Sequence, residues 1–357
     1  MGIDTRTPGG AGSEASDGAG DTLAADEGAE ERHDSRTVGR ERATDGQAQD
    51  DAVPVSTTAG SEGRLWEVER PAISLADVVG LEEVKRQLEL SFTGPLRNPE
   101  LARQFGRAAT GGLLMYGPPG CGKTFLARAV AGELGLNFLS ASAADLFGPY
   151  IGESERAIQD LFRTARANRP SVVFLDEFDS LGGRRGSGSS GAQVLRAVVS
   201  QLLAELDGVH DSNDGLYFLA ATNRPWDIDH ALRRPGRIDR TVLVLPPDSP
   251  AREAILRQGL ARVPTGDVDV RALAARTEGL SGADLVHVVR AATEQAFSES
   301  LRTGVRRDVR QEDLVLAASQ AVPSTRSWFE EMKPTLDFGV DDGTFKTLRK
   351  YLRTHRI

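Results

Sequence analysis

From residue 112 onward, apolar and polar positions alternate between two kinds of stretch. Apolar runs at 112–116, 137–141, 171–175, 216–221 and 241–245 are interleaved with stretches of helical period at 123–134, 154–168 and 192–206. A run that is apolar throughout, without period-two alternation, is what a strand covered on both faces presents. The interleaving predicts an α/β fold, a parallel sheet with helices on both faces. Ahead of it, Asp77-Val-Val-Gly80 is a short apolar turn, and Glu82 to Ser91 reads as an amphipathic helix. Beyond it the strands end. Ser249 and Pro250 suit an N-cap and first helical position for a helix running to Ala261. Ser281-Gly-Ala-Asp284 is a capping box ahead of Leu285 to Ser298, and Arg310 to Ala321 adds another helical period. From Pro323 to Ile357, Trp328, Phe329, Phe338, Phe345, Leu348, Tyr351 and Leu352 are spaced for two short helices that pack back on the body. The pattern therefore divides the chain at 64–247 (α/β), 248–322 (a small all-helical domain) and 323–357 (a helical extension).

Residues 1–63 have no such pattern. They carry fourteen Asp and Glu against five Arg, with few large apolar side chains. That composition cannot offset the entropy of ordering a backbone, so it predicts a disordered acidic arm, either recruiting a partner or only solvating the chain. The remaining residues balance 38 acids against 38 bases, so the overall charge of −9 belongs to the arm. A neutral folded region weighs against nucleic acid as the main ligand. A single Cys excludes an internal disulfide, and no apolar run approaches the ~18 residues that span a bilayer. The start of the chain lacks the apolar core of a signal peptide, so the expected location is cytoplasmic. Five Lys against 38 Arg suggests a GC-rich, bacterial coding sequence.

The chemistry centres on Gly117-Pro-Pro-Gly-Cys-Gly-Lys-Thr124, between a predicted strand and a predicted helix. Gly117, Gly120 and Gly122 let the backbone curl around phosphate oxygens. The following helix contributes unpaired N–H groups, Lys123 reaches the β- and γ-phosphates, and Thr124 ligates Mg²⁺. Pro118, Pro119, Cys121 and Phe125 complete the nucleotide-contacting stretch. Val172-Val-Phe-Leu-Asp-Glu177 is an apolar strand ending in two carboxylates: Asp176 to hold Mg²⁺ through its water shell, Glu177 to orient and deprotonate the attacking water. Phe218 to Asn223 is another apolar strand with a polar end, where the Asn223 amide suits the γ-phosphate or the lytic water. Cys121 precedes a helix N-terminus, where a thiol pKa can fall; reactivity toward thiol reagents is one expectation and a small spacer the other.

In this order and spacing, the phosphate loop, Leu175-Asp-Glu177, Ala221-Thr-Asn-Arg-Pro225, Leu232-Arg-Arg-Pro-Gly-Arg-Ile-Asp-Arg240 and Gly279-Leu-Ser-Gly-Ala-Asp-Leu285 resemble the AAA family of ring-forming ATPases over about Asp77 to Val322. The resemblance implies an α/β core with a helical lid, ATP and Mg²⁺ bound between them and between subunits, and a homo-oligomer, usually a hexamer. It implies that Asn223 is a γ-phosphate sensor and that Arg237 and Arg240 are arginine fingers. Asp77 to Gly80 with Gly282 and Ala283 would form the adenine pocket, and Asp207 would communicate between subunits. Phe147-Gly-Pro-Tyr-Ile-Gly-Glu-Ser-Glu155 resembles the family's pore loop, with Tyr150 and Ile151 gripping extended polypeptide; the alternative is a helix N-terminus with a buried Tyr150. Leu181 to Gly191 lies where a second pore loop would, and Arg184 and Arg185 would face acidic substrate or water. Pro149 stands where relatives often place a basic residue, and Gly259 lies near a position where many relatives carry a His. Trp328 to Tyr351 resembles C-terminal additions of the katanin and spastin kind. The implied function is ATP-driven remodelling of a protein substrate or adaptor-bound complex; the alternative is a DNA-associated ATPase of replication or recombination.

Overall fold

Five parallel strands in the order β2-β3-β4-β1-β5 form the centre of the protein. The computed structural model describes residues 66–106, 112–148, 150, 152–182, 190–208, 212–338 and 345–355; the acidic arm expected at 1–63 lies outside them. In chain order the elements are α1 (Glu82–Leu88), a π-helical turn at Glu89–Thr93, α2 (Gly94–Arg97), α3 (Pro99–Gln104), β1 (Gly112–Tyr116), α4 (Lys123–Glu133), β2 (Asn137–Ala141), α5 (Ala143–Leu146), α6 (Glu153–Ala167) and β3 (Ser171–Leu175). They continue through α7 (Phe178–Gly182), α8 (Ser190–Leu206), β4 (Leu216–Thr222), β5 (Arg240–Leu243), α9 (Ser249–Leu260), α10 (Val270–Arg276), α11 (Gly282–Thr303), α12 (Gln311–Gln320), α13 (Thr325–Phe338) and α14 (Lys346–His355).

All residues of β1 and of β3 are buried, which explains their uninterrupted apolar sequence. Successive side chains enter opposite layers: Leu114 joins Ile158, Leu161 and Val198 on the α6/α8 side, while Leu113 and Met115 join Leu88, Leu126 and Val130 on the α1/α4 side. A separate apolar cluster holds α9 to α12 together through Leu256, Leu273, Leu285 and Leu314. A fourth joins Trp328, Phe329 and Met332 of α13 and Leu348 and Leu352 of α14 to Tyr116 and Leu243, the last residues of β1 and β5. The C-terminal helices thus sit over the edge of the sheet from which the phosphate loop emerges.

Three local details differ from the sequence expectation. The helix expected from Glu82 to Ser91 leaves α-geometry after Leu88 and widens into the π-turn. Pro95 explains this, because it cannot donate to the carbonyl of Ser91 four residues back; that oxygen accepts from Nη1 of Arg240 instead. The N-cap of α9 is Asp248, whose Oδ1 accepts from Ala251 N at 2.9 Å, so Ser249 and Pro250 both fall inside the helix. Helix α10, capped by Asp269, had no clear signal because it is only seven residues long.

The entry segment braces this core. Glu69 pairs with Phe138 on the edge strand β2, and the carbonyls of Pro71 and Ile73 press against α4 at Gly132. A Cβ at position 132 would lie 2.0 Å from Ile73 O and 2.7 Å from Pro71 O. Replacing a helical Gly with Ala ordinarily gains ~1 kcal/mol. Here overlap with two backbone oxygens outweighs propensity, and Gly132→Ala is expected to lower stability by about 2 kcal/mol or more in chemical denaturation. A stabilised variant would show that the 71–73 segment does not pack there.

Candidate active site

The phosphate loop joins β1 to α4, and its Gly117, Gly120 and Gly122 all take positive φ (153°, 71° and 86°). No side chain caps the N-terminus of α4, so its first N–H groups are not used by a capping side chain. Lys123 is 8 % exposed, and Nζ donates to Gly117 O (3.0 Å), Pro118 O (2.8 Å) and Asn223 Oδ1 (2.7 Å). All three acceptors are neutral, and burial pulls the ammonium down to about 8. A cation buried without an ion-paired carboxylate, inside a cradle of backbone N–H groups, fits a phosphate chain.

Strand order assembles the remaining groups. Because β4 lies between β1 and β3, Asn223 at the end of β4 comes between the phosphate loop and Asp176. Thr124 Oγ1 donates to Asp176 Oδ2 at 2.6 Å. A hydroxyl and a carboxylate in contact provide two hard oxygens, which suits Mg²⁺, since that ion completes its shell with phosphate oxygens and water. Glu177 is exposed and has φ 50°, an uncommon conformation for a side chain of its size, and its N–H donates to Asp176 Oδ1 at 2.9 Å. Of two supporting residues, Asp179 had no sequence signal and Thr222 had none beyond its place in Ala221-Thr-Asn-Arg-Pro225. Asp179 Oδ1 accepts from Thr222 Oγ1 at 2.5 Å, fastening α7 to the end of β4, and Thr222 Oγ1 in turn accepts from Arg224 N at 2.8 Å.

The start of α11 docks on the loop. Ala283 N donates to Gly120 O at 3.1 Å, and a Cβ on Gly120 would lie 2.7 Å from Ser281 Oγ and 2.9 Å from Ala283 Cβ, so only glycine allows this approach. A Cβ on Gly282 would lie 4.0 Å from Ile255 of α9, and one on Gly80 would lie 2.5 Å from Ala251 at the start of α9. Gly80 and Gly282 thereby lie near the same helix, α9. The Asp77 carboxylate itself accepts from Ser74 N and Oγ, closing its own turn. Gly259 faces Val289 of α11, which leaves little room for a larger side chain there. Phe125 is exposed beside Thr124.

Arg237 and Arg240 lie elsewhere. Arg237 O accepts from Gly112 N, and Arg240 is paired in register with Leu113, so both flank the start of β1. The phosphate loop follows its other end, roughly 13 Å away at ~3.3 Å per residue. Arg237 forms a two-pronged ion pair with Asp207 (Nε–Oδ1 2.6 Å, Nη2–Oδ2 2.7 Å) and donates from Nη1 to Ala231 O. The hydrogen bond from Arg237 holds the Asp207 carboxyl below its usual range. Tyr150 is 73 % exposed just ahead of α6, which removes the buried-tyrosine alternative. Pro149, Ile151, Arg184 and Arg185 lie outside the described residues.

Two family descriptions match this arrangement. Residues 113–245 match the "ATPase family associated with various cellular activities (AAA)", and residues 267–314 match the "AAA+ lid domain". The chain belongs to the AAA ATPase family. It is 43 % identical over 239 residues to the human ATPase family gene 2 protein homolog A, covering 67 % of this chain and 27 % of that protein. It is 42 % identical over 265 residues to the Cell division cycle protein 48 homolog of Archaeoglobus fulgidus, covering 74 % of this chain and 35 % of that protein. Protein SAV of Sulfolobus acidocaldarius is 45 % identical over 231 residues, 64 % of this chain and 29 % of that protein. The matched stretch thus spans about a third of these curated relatives. Among the described residues, no helix is long and apolar enough to cross a membrane.

Cys121 overturns the expectation of a lowered thiol pKa. It is 7 % exposed, and burial pushes the thiol up to about 12, outweighing the pull of Lys123. Since the thiolate is the nucleophile, iodoacetamide at pH 8 is expected to label the folded chain about a thousandfold more slowly than the unfolded chain, read by mass spectrometry. Folded and unfolded rates within about tenfold of each other would contradict this placement of the thiol.

Proposed function

We propose that this AAA module hydrolyses ATP with Mg²⁺ at a site shared between neighbouring copies in a ring, a hexamer, and uses the cycle to remodel a protein substrate. The observation that carries the reading is the separation of parts along the sheet. Lys123, Thr124, Asp176 and Asn223 meet at one edge, while Arg237 and Arg240 flank the opposite end of β1. Guanidinium groups so placed cannot reach their own chain's phosphates, yet they suit a phosphate presented by a second copy, where such a group is worth ~10³- to 10⁵-fold in rate.

In this mechanism Lys123 leaves its carbonyl partners for the β- and γ-phosphates, and the N-terminus of α4 and the loop N–H groups hold the remaining oxygens. Thr124 and Asp176 would hold Mg²⁺, which when bound would supply positive charge to the phosphates. Glu177 takes a proton from the attacking water, and Asn223 orients that water or the γ-phosphate. Asp207 keeps Arg237 folded against its own chain until a neighbour's nucleotide competes for the guanidinium. Gly120, Gly282 and Ala283 carry lid movement to the loop, and Asp77 to Gly80 line the adenine side. The exposed Tyr150, with Ile151, supports a grip on extended polypeptide. A cytoplasmic location accords with this role.

Mixing two inactive variants tests the shared site. Glu177→Gln and Arg237→Ala are each expected to lower turnover by about a hundredfold or more. Combined, they should recover a measurable fraction of parental activity, because some interfaces pair an intact Glu177 with an intact Arg237. No recovery at any ratio, under conditions where both variants co-assemble, would contradict the reading.

A further inference from the structure

The strand ladder stops just before Asn223. Thr222, the last residue of β4, is in register with Tyr116, the last residue of β1. The peptide joining Asn223 to Arg224 is nevertheless held at both of its polar groups. Its N–H, on Arg224, donates to Thr222 Oγ1 at 2.8 Å, and its carbonyl, on Asn223, accepts from the indole Nε1 of Trp328 in α13. Trp328 is 4 % exposed, lies edge-on to Phe329 with ring centres 5.3 Å apart, and meets Trp226 at 6.4 Å. An indole has a single donor and no acceptor, and a buried N–H requires a partner. The partner here belongs to the residue whose side chain meets Lys123 at 2.7 Å.

The other end of α13 is fastened to the lid. Ser324 Oγ donates to Asp284 Oδ2 at 2.9 Å, within the capping box of α11, and Thr325 Oγ1 donates to Gly279 O at 2.7 Å. Arg224 and Glu331 form an ion pair at 3.5 Å. Helix α13 therefore connects the α11 entry, which rests on Gly120, with the loop that carries Asn223.

We propose that Trp328 is a positioning residue for ATP hydrolysis: its indole N–H fixes the Asn223–Arg224 peptide and, through it, the Asn223 side-chain amide at the phosphate site. The inference rests on the reading of Asn223 given above and adds the C-terminal helix to the machinery that places it. Without the N–H the peptide can rotate, and the amide wanders by more than the ~0.5 Å that a reacting geometry tolerates. The packing of the ring on Phe329 and Trp226 is a separate contribution, which a phenyl ring largely retains.

Trp328→Phe removes the donor and keeps an aromatic ring. Steady-state hydrolysis of Mg·ATP is measured for the full chain, W328F, N223A and the double variant, with fluorescent-ADP binding and thermal melting alongside. The expected result for W328F is a kcat about fivefold to tenfold lower, with KM and ADP affinity within about twofold, and a double variant no slower than N223A alone. A W328F kcat within about twofold of the parent overturns the proposal, as do losses that multiply in the double variant, the behaviour of a general structural defect. If N223A itself turns over at the parental rate, the inference falls with it, and the fault lies in the role given to Asn223. Should W328F melt below the assay temperature, benzothienylalanine at position 328, which replaces only the indole N–H with sulfur, is read against the same outcomes.

Discussion

A five-residue strand separates Arg237 from the phosphate loop of its own chain, and the proposed chemistry turns on that distance. The sheet is rigid and buried on both faces, so neither end of β1 can move toward the other. On the proposed reading, the parts gathered at the loop end bind a nucleotide and a metal ion, and the acid that would activate water stands beside them. At the loop end, Lys123 is the cation that meets Asn223 and the phosphate-loop carbonyls. The positive charge of Arg237 is kept at the other end, neutralised by Asp207. An isolated copy on this view is a binding protein with its catalytic groups apart.

Burial decides how the charged parts behave before a partner arrives. Burial lowers the hold of Lys123 on its proton, and its bonds to neutral oxygens leave it without a carboxylate partner and ready for an anion. The Arg237 side chain is 19 % exposed and that of Asp207 39 %, so their ion pair is open to water chiefly on the Asp207 side. The π-turn before α2 belongs to the same arrangement, because it leaves the Ser91 carbonyl to the guanidinium of Arg240. Holding two arginines by separate partners sets where they stand before any neighbour docks.

Much of this was legible in the chain because it is local. Uniform apolar runs such as Leu113 to Tyr116 and Val172 to Leu175 identify strands covered on both sides, and the glycines at 117, 120 and 122 fall where backbone must curl. What was not legible depends on residues far apart. Asp179 and Thr222 are separated by 43 positions and Trp328 and Asn223 by 105, and no periodicity reports a bond across such spans. Cys121 shows two physical effects in competition: its place before a helix suggests a reactive thiolate, but the surrounding core makes ionisation costlier than the helix end and Lys123 make it favourable. The N-cap of α9 moved by one residue because Asp248 and Ser249 can both cap, and Asp248 is the one whose carboxylate reaches Ala251 N.

The most direct measurement is specific ATPase activity against chain concentration, from well below to well above the range in which sedimentation shows the chain assembling. The account predicts near-zero turnover per chain in the dilute, monomeric limit, with nucleotide binding retained, and a rise that follows assembly. Turnover per chain that is the same in strictly monomeric and assembled samples would contradict it.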